Sequence, residues 1–130
     1  MGYRLVLEIG ELPRTNASDN RHWSAKTKDR ERWAVLMRAA LGRQARPAEP
    51  LPVARVEYVR RSTAECDPSN LPYSFKLIED LLCMGGPRNP GGIGILVGDK
   101  AENYRGGIGS YRWEKSKRAN QGVTITVEEP

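Results

Sequence analysis

The chain has 130 residues, a length at which one domain can bury a hydrophobic core and a second independent domain is not expected. We therefore predict a single domain over residues 1–130. Lys and Arg total 21 against 16 Asp and Glu, which gives a formal net charge of +5. This excess is typical of proteins that bind a polyanion such as nucleic acid, and also of proteins whose charge serves solubility alone. No run of about 20 apolar residues is present, which argues against a membrane span and predicts a cytosolic protein.

The cysteine and histidine content argues against a zinc site. Cys66 and Cys83 are far apart in the sequence, and His22 is the only histidine. This spacing matches no common zinc motif, so we predict reduced thiols and a small buried side chain at Cys66. We expect His22 to be a hydrogen-bonded loop residue rather than a metal ligand. The chain also offers no Ser/His or Cys/His pair for nucleophilic catalysis.

The first half of the chain shows strand and helix periodicities. Alternating apolar residues predict strands over residues 3–9 and 53–59, and the turn formers between residues 11 and 23 predict a loop. A basic amphipathic helix is predicted from Ser24 or Thr27, either of which can be its N-cap, to Leu41. Gly42 is expected to end this helix. The apolar face of the helix is formed by Trp33, Leu36, Met37, Ala40 and Leu41.

A second helix is predicted over residues 70–82, with Asn70 at its N-cap and Pro72 in its first turn, where the missing N–H costs little. Its buried stripe consists of Leu71, Phe75, Ile78 and Leu82. The glycine- and proline-rich residues 84–98 are expected to form a flexible surface loop.

Two strands, over residues 108–113 and 123–127, are expected to pair as a hairpin joined by a basic loop that includes residues 115–118. The element order strand, helix, strand, helix, strand, strand predicts an α+β fold. In this fold two main helices pack on a mixed β-sheet of about four strands.

Three carboxylates and one lysine form the candidate catalytic group. Asp67 follows the second predicted strand, and Asp99 follows an apolar run after the glycine-rich segment. Lys76 and Asp80, four residues apart, share the helix face opposite the buried stripe, although a solvated ion pair is the simpler interpretation of these two alone. Mg²⁺ takes hard oxygen ligands, and an ammonium group nearby can stabilise a phosphoryl transition state. The pattern therefore favours phosphodiester hydrolysis, with Asp67, Asp80 and Asp99 as metal ligands.

These residues resemble the RusA family of Holliday-junction resolvases. The family signature is Asp-x-Asp-Asn-Leu, then a helix carrying lysine and aspartate, then an aspartate before the closing hairpin. Most of the chain follows this order, with Asp67-Pro68-Ser69-Asn70-Leu71, Lys76, Asp80 and Asp99. In addition, Asn20-Arg21-His22-Trp23 is similar to the family's loop with an asparagine and an aromatic residue.

The resemblance implies an α+β homodimer that makes paired incisions in branched DNA, at four-way junctions. It implies Mg²⁺ as the cofactor, with Mn²⁺ as a substitute, and no small-molecule cofactor. Asp67 and Asp99 correspond to the metal ligands of the family. The implied location is the cytoplasm of a bacterial cell, with a phage or prophage as a possible source of the gene.

Three departures from the family pattern leave the activity open. Ser69 occupies the position of the second aspartate, and a neutral hydroxyl is a poorer Mg²⁺ ligand than a carboxylate. Lys76 follows Asn70 by six residues rather than three, and Asp99 is the second of two acids often found together. An active resolvase is one hypothesis, and a non-catalytic junction-binding protein is another. A third is a basic RNA- or protein-binding domain whose acids are unrelated surface groups.

DNA contacts are expected from the basic first helix and from the basic loop between the last two strands. The candidates for phosphate contacts are Lys28, Arg30, Arg32, Lys115, Lys117 and Arg118. Asn20, Arg21 and Asn70 are further candidates. Trp23 or Tyr73 could stack on an unpaired base, with partial burial in the core as the alternative for each aromatic side chain. A solvated charged face is the alternative for each cation.

Overall fold

The computed structural model describes residues 2–14 and 23–130. Six strands and three α-helices occur in these residues. The strands are β1 (Arg4–Ile9), β2 (Arg55–Ser62), β3 (Met84–Gly86), β4 (Asn89–Ile93), β5 (Ser110–Lys115) and β6 (Gly122–Glu128). The helices are α1 (Trp23–Leu41), α2 (Leu71–Ser74) and α3 (Lys76–Leu82). The four-stranded sheet has the order β1-β6-β2-β5, and β3 and β4 form a separate two-stranded sheet. The predicted α+β class with a mixed four-stranded sheet is confirmed.

The central strand β6 explains why the sheet has one buried face. Val123, Ile125 and Val127 alternate along β6 and are all fully buried. They pair antiparallel with β1 on one side and with β2 on the other, so that Ile125 lies between Leu7 and Tyr58. Apolar side chains of three adjacent strands therefore point to the same face, and they form one core with the helices.

The predicted pairing of the last two strands is wrong. β5 pairs parallel with β2, with Tyr58 opposite Tyr111, and it does not pair with β6. The reason lies in the two sequences. β6 presents a fully apolar alternation that gains from a neighbour on each side, whereas β5 is largely exposed and carries charged residues, which suits the edge of a sheet.

Helix α1 starts earlier than expected and ends as predicted. It begins at Trp23, so neither Ser24 nor Thr27 is its N-cap, and the Thr27 hydroxyl instead donates to the Trp23 carbonyl oxygen at 3.0 Å. At the other end, Gly42 has φ +51°, and its N–H donates to the Arg38 carbonyl oxygen. The helix packs its apolar face on β1 and α3, with Trp33, Ala34, Met37 and Leu41 buried.

The second helix is broken into α2 and α3 at Phe75. The N–H of Phe75 donates to the Pro72 carbonyl oxygen at 3.1 Å, three residues back, and this tightens the turn. The Phe75 carbonyl oxygen then accepts from the Glu79 N–H at 2.8 Å, which starts α3. The predicted buried stripe is nevertheless confirmed, because it crosses the break with Leu71, Phe75, Ile78 and Leu82 all buried.

The prediction of a flexible surface loop over residues 84–98 is wrong. β3 and β4 pair within this segment, and Ile93, Ile95 and Leu96 are buried in the core. The glycines serve close packing, because a Cβ added at Gly92 would lie 2.5 Å from the Cys83 carbonyl oxygen. The segment is therefore part of the fold, and it leads directly to Asp99.

Both cysteines are free thiols and Cys66 is buried, as predicted, and Cys83 is buried as well. Burial is the main factor that raises the pKa of the Cys83 thiol to about 12, so this side chain is uncharged near neutral pH. Among the helices that the structure describes, none is long and apolar enough to cross a lipid bilayer.

Candidate active site

The structure brings Lys76, Asp80 and Asp99 together. Lys76 starts α3 and Asp80 lies one turn further along, so both side chains leave the helix on the same side, as predicted. The Lys76 ammonium lies 2.8 Å from Asp99 Oδ2 and 3.5 Å from Asp80 Oδ1. We call these three side chains the acidic cluster. They are partly exposed, which leaves them accessible to a ligand.

The carboxyl groups of Asp80 and Asp99 are adjacent, so that they can share a hydrogen bond when one of them is protonated. Burial and this hydrogen bond raise the pKa of Asp80 above its usual value. Burial also disfavours the charged form of Asp99, but hydrogen bonds with Lys76 and Asp80 outweigh it and hold the Asp99 pKa below its usual value. Asp80 is therefore the first of the two to take up a proton, and a cation bound between them would favour both charged forms.

Arg30 of α1 is a neighbour of the acidic cluster. Its guanidinium lies 3.7 Å from Asp80 Oδ2 and donates to Asn89 Oδ1 at 2.8 Å and to the Pro90 carbonyl oxygen at 3.2 Å. These contacts tie α1 to β4 beside the carboxyl groups. Direct contact of Arg30 with DNA stays a prediction.

Glu79 is a buried acid beside the cluster that the sequence analysis did not single out. Only 7% of its surface is exposed, and the Tyr111 hydroxyl donates to its carboxylate. The Tyr111 ring stacks on Tyr58 with centroids 5.1 Å apart, and the Tyr58 hydroxyl is 3.0 Å from that of Tyr104. The signal was present, because Glu79 follows Phe75 by four residues and therefore falls within the buried stripe.

Burial raises the pKa of Glu79 to about 7, despite the Tyr111 hydrogen bond that favours the charged form. The folded state thus binds this proton more tightly than the unfolded state. Glu79 should lower the free energy of unfolding as pH rises from about 4.5 to about 7, with no further change above that range.

We expect the stability of Glu79→Gln relative to the original chain to increase by about 1–3 kcal/mol between pH 5 and pH 8. Urea unfolding in EDTA at both pH values measures this difference. The exposed Glu65→Gln is the matched control, and its stability should run parallel to that of the original chain. Equal pH dependence of Glu79→Gln and the original chain would contradict the prediction.

Asp67 is exposed and lies at the entrance of α2. Its Oδ1 accepts hydrogen bonds from the Ser69 N–H at 3.0 Å and from the Ser69 hydroxyl at 2.9 Å, and these bonds lower the Asp67 pKa. The Asp67 carbonyl oxygen accepts from the N–H groups of Asn70 and Leu71. Asn70 occupies the N-cap position but makes no capping hydrogen bond with its side chain, which corrects the prediction for this residue.

The predicted trio of metal ligands is not assembled. Lys76 follows Asn70 by six positions, a rise of about 9 Å if the chain is helical, so Asp67 and the acidic cluster lie at opposite ends of the α2 segment. Across residues 2–14 and 23–130, no three His, Cys, Asp or Glu side chains are arranged to hold a metal ion. The Asp80 and Asp99 pair still fits Mg²⁺, which commonly binds one or two carboxylates and retains several waters.

Most of the other residues that were predicted to contact DNA have exposed side chains. Lys28, Lys115, Lys117 and Arg118 are exposed, whereas exposed Arg32 pairs with Glu11 at 2.5 Å. Trp23 and Tyr73 are 70% and 57% exposed, so neither side chain is in the core. Asn70 is half-buried. Asn20, Arg21 and His22 lie outside the described residues.

Comparison of the chain with protein-family models, curated proteins and solved structures gives no match. The resemblance to the RusA family therefore rests on the order of the motif residues.

Proposed function

We propose that the protein is a Mg²⁺-dependent endodeoxyribonuclease that resolves four-way DNA junctions in the cytoplasm. The observation that carries the proposal is the pair of adjacent carboxyl groups of Asp80 and Asp99, with the Lys76 ammonium 2.8 Å from Asp99. The substrate class comes from the RusA-like motif. Paired incision needs two equivalent sites related by a two-fold axis, so we propose a homodimer.

The residues of the acidic cluster have separate roles in this proposal. Asp80 and Asp99 would hold Mg²⁺, or Mn²⁺ in its place, and the motif adds Asp67 as a third proposed ligand. When bound, the ion supplies positive charge to the phosphate and makes a water molecule more acidic. Lys76 would donate to a phosphate oxygen as negative charge develops. Arg30 and Glu79 would keep Asp80 and α3 in position through their contacts with β4 and β5.

Cleavage of a synthetic four-way junction, run beside a binding assay, tests the proposal. We expect symmetric nicks in opposed strands with Mg²⁺ or Mn²⁺ and none with excess EDTA. A linear duplex of the same sequence is the control substrate. Full cleavage in EDTA, or binding without cleavage under any divalent metal, would contradict the proposed activity.

A non-catalytic junction-binding protein is the second candidate, and Ser69 is the observation that favours it. Ser69 stands where the family has an aspartate, and its N–H and hydroxyl both donate to Asp67 Oδ1. One oxygen of the proposed ligand is thus engaged within the chain. This candidate predicts salt-sensitive junction binding without cleavage.

Ser69→Asp tests whether the absence of a carboxylate at this position limits cleavage. The Ser69 hydroxyl lies 2.9 Å from Asp67 Oδ1, so an aspartate there would place a second carboxylate beside the first, which favours a divalent cation. We expect Mg²⁺-dependent cleavage to rise by about tenfold or more, the scale on which groups around a metal alter activity. Ser69→Asn is the neutral control of similar size. Equal cleavage rates for the two variants would show that no carboxylate is missing at this position.

A further inference from the structure

Arg60 of β2 is a buried cation with no carboxylate partner among residues 2–14 and 23–130. Its exposed fraction is 7%, and its Nη1 donates to the Pro13 carbonyl oxygen at 2.8 Å. Its Nε has no hydrogen-bond partner among the residues that the structure describes, and Arg60 forms no ion pair with any of them. A buried charge without a counter-charge is costly, and buried polar atoms without a partner are uncommon in folded proteins. The arrangement therefore calls for an anion.

Arg60 lines a cleft of about 390 Å³ at the end of β2. The cleft also contains Ser62, Thr63, Asp67 and Asn70 in its wall. Ser62 is already engaged, because its hydroxyl donates to the Ala64 carbonyl oxygen and accepts from Trp113 Nε1. Thr63 and Asn70 bring a hydroxyl and an amide that can donate to an anion. The cleft thus combines one buried guanidinium with neutral donors.

The charges around the cleft are mixed but include a basic segment. Glu65 and Asp67 are in the wall, and both oppose an anion. The strand β5 ends beside the cleft, because Lys115 pairs with Ser62 and the Ser116 N–H donates to the Ser62 carbonyl oxygen at 3.1 Å. Exposed Lys117 and Arg118 follow directly, so cations flank the end of β2 from which the cleft opens.

We infer that Arg60 is the base of a phosphate-binding site that takes a backbone phosphate of the DNA strand running past Asp67. A guanidinium is a planar fork of five N–H donors. Because Nε of Arg60 is enclosed, the donors available to a phosphate in the cleft are those of the Nη groups. A phosphodiester carries one negative charge, the charge that a single buried cation can balance, and the exposed Lys117 and Arg118 beside the cleft offset the two acids of its wall. The assignment to DNA rests on the proposed function, whereas the need for an anion rests on Arg60 itself.

Junction binding in EDTA, followed by fluorescence anisotropy at several salt concentrations, tests the inference without cleavage. We expect Arg60→Gln to weaken binding at least tenfold and to reduce the slope of log K against log salt by about one, as for the loss of one phosphate contact. Arg60→Lys should recover part of the affinity, because it keeps the charge without the fork. The control is Arg61→Gln, since Arg61 points to the opposite face of the sheet and donates to Thr124. An unchanged slope for folded Arg60→Gln would overturn the inference.

A second measurement uses the unaltered chain, so that its result does not depend on the folding of Arg60 variants. The Arg60 Nε–H resonance is followed by NMR during titration with the junction and, separately, with inorganic phosphate. A saturable shift with DNA, with the Arg61 resonance unmoved, would support the site. Response to inorganic phosphate alone would assign a free anion instead of DNA, and response to neither would overturn the site. If the junction shifts the Arg60 resonance but is never cut, only the proposed nuclease activity is contradicted. If the junction is cut while the Arg60 resonance does not move, only the phosphate site at Arg60 is contradicted.

Discussion

Asp99→Asn is expected to reduce Mg²⁺-dependent junction cleavage by about 10²–10³-fold, the usual loss when one group that stabilises a transition state is removed. Asp99 Oδ2 lies 2.8 Å from the Lys76 ammonium, and its carboxyl group also contacts that of Asp80. Asparagine has the same size but no charge, so it weakens the metal site and leaves Lys76 with Asp80 alone. The fold should survive, because a partly exposed ion pair contributes about 1 kcal/mol or less.

Single-turnover cleavage rates at saturating protein measure this loss, with junction binding in EDTA as a check that DNA is still bound. Glu102→Gln removes an exposed acid three residues further along and should cleave within about twofold of the original chain. Asp67→Asn belongs in the same series, because the motif proposes Asp67 as a ligand and predicts a comparable loss. If Asp99→Asn cleaves at the original rate, the acidic cluster does not take part in cleavage.

Phe75→Ala is expected to lower the free energy of unfolding by about 3–5 kcal/mol, a large share of the 5–15 kcal/mol typical of a domain. Phe75 is fully buried at the junction of α2 and α3. Its ring centroid lies 5.1 Å from that of Tyr58 and 6.2 Å from that of Tyr111. Removing the ring leaves a cavity beneath α3 and loosens the Tyr111 support of Glu79.

Urea unfolding followed by circular dichroism measures the effect of Phe75→Ala. The control is Tyr73→Ala two residues earlier, where the side chain is 57% exposed and the expected change is within about 0.5 kcal/mol. Similar losses for the two variants would mean that Phe75 is not the packing centre that the structure indicates. A loss of cleavage in Phe75→Ala under conditions where it is fully folded would show that the position of α3 matters for activity.

Local periodicity predicted the buried faces of β1, α1 and the α2–α3 segment, because which side of an element is apolar depends on its own residues. Periodicity did not predict which strand pairs with β5. The alternation within a strand indicates which of its side chains face the core, but it carries no information about the neighbouring strands. Residues 84–98 were predicted as a loop because glycine is common in flexible segments. At Gly92 the lack of a side chain instead permits close contact between backbones.

The part of the candidate site that could be predicted from the sequence consists of residues that are close together along the chain. Lys76 and Asp80 meet because they are four residues apart on α3, and Asp99, which the motif order added to them, lies next to Lys76 in the structure. The same motif placed Asp67 in that group, whereas the Ser69 hydrogen bonds hold it at the entrance of α2. The sequence did not indicate a special role for Arg60, because a basic residue in a strand is expected to be exposed unless its burial is known.

The central position of β6 determines when the sheet can form. Within the described residues β1 pairs with β6 alone, and the pairing of Arg4 with Glu128 joins positions 128 − 4 = 124 residues apart. Such long-range pairing closes a large loop before it gains contacts, which slows folding. Until β6 has been synthesised, β1 and one edge of β2 therefore lack their partner, and such unpaired strand edges expose a nascent chain to pairing with other strands.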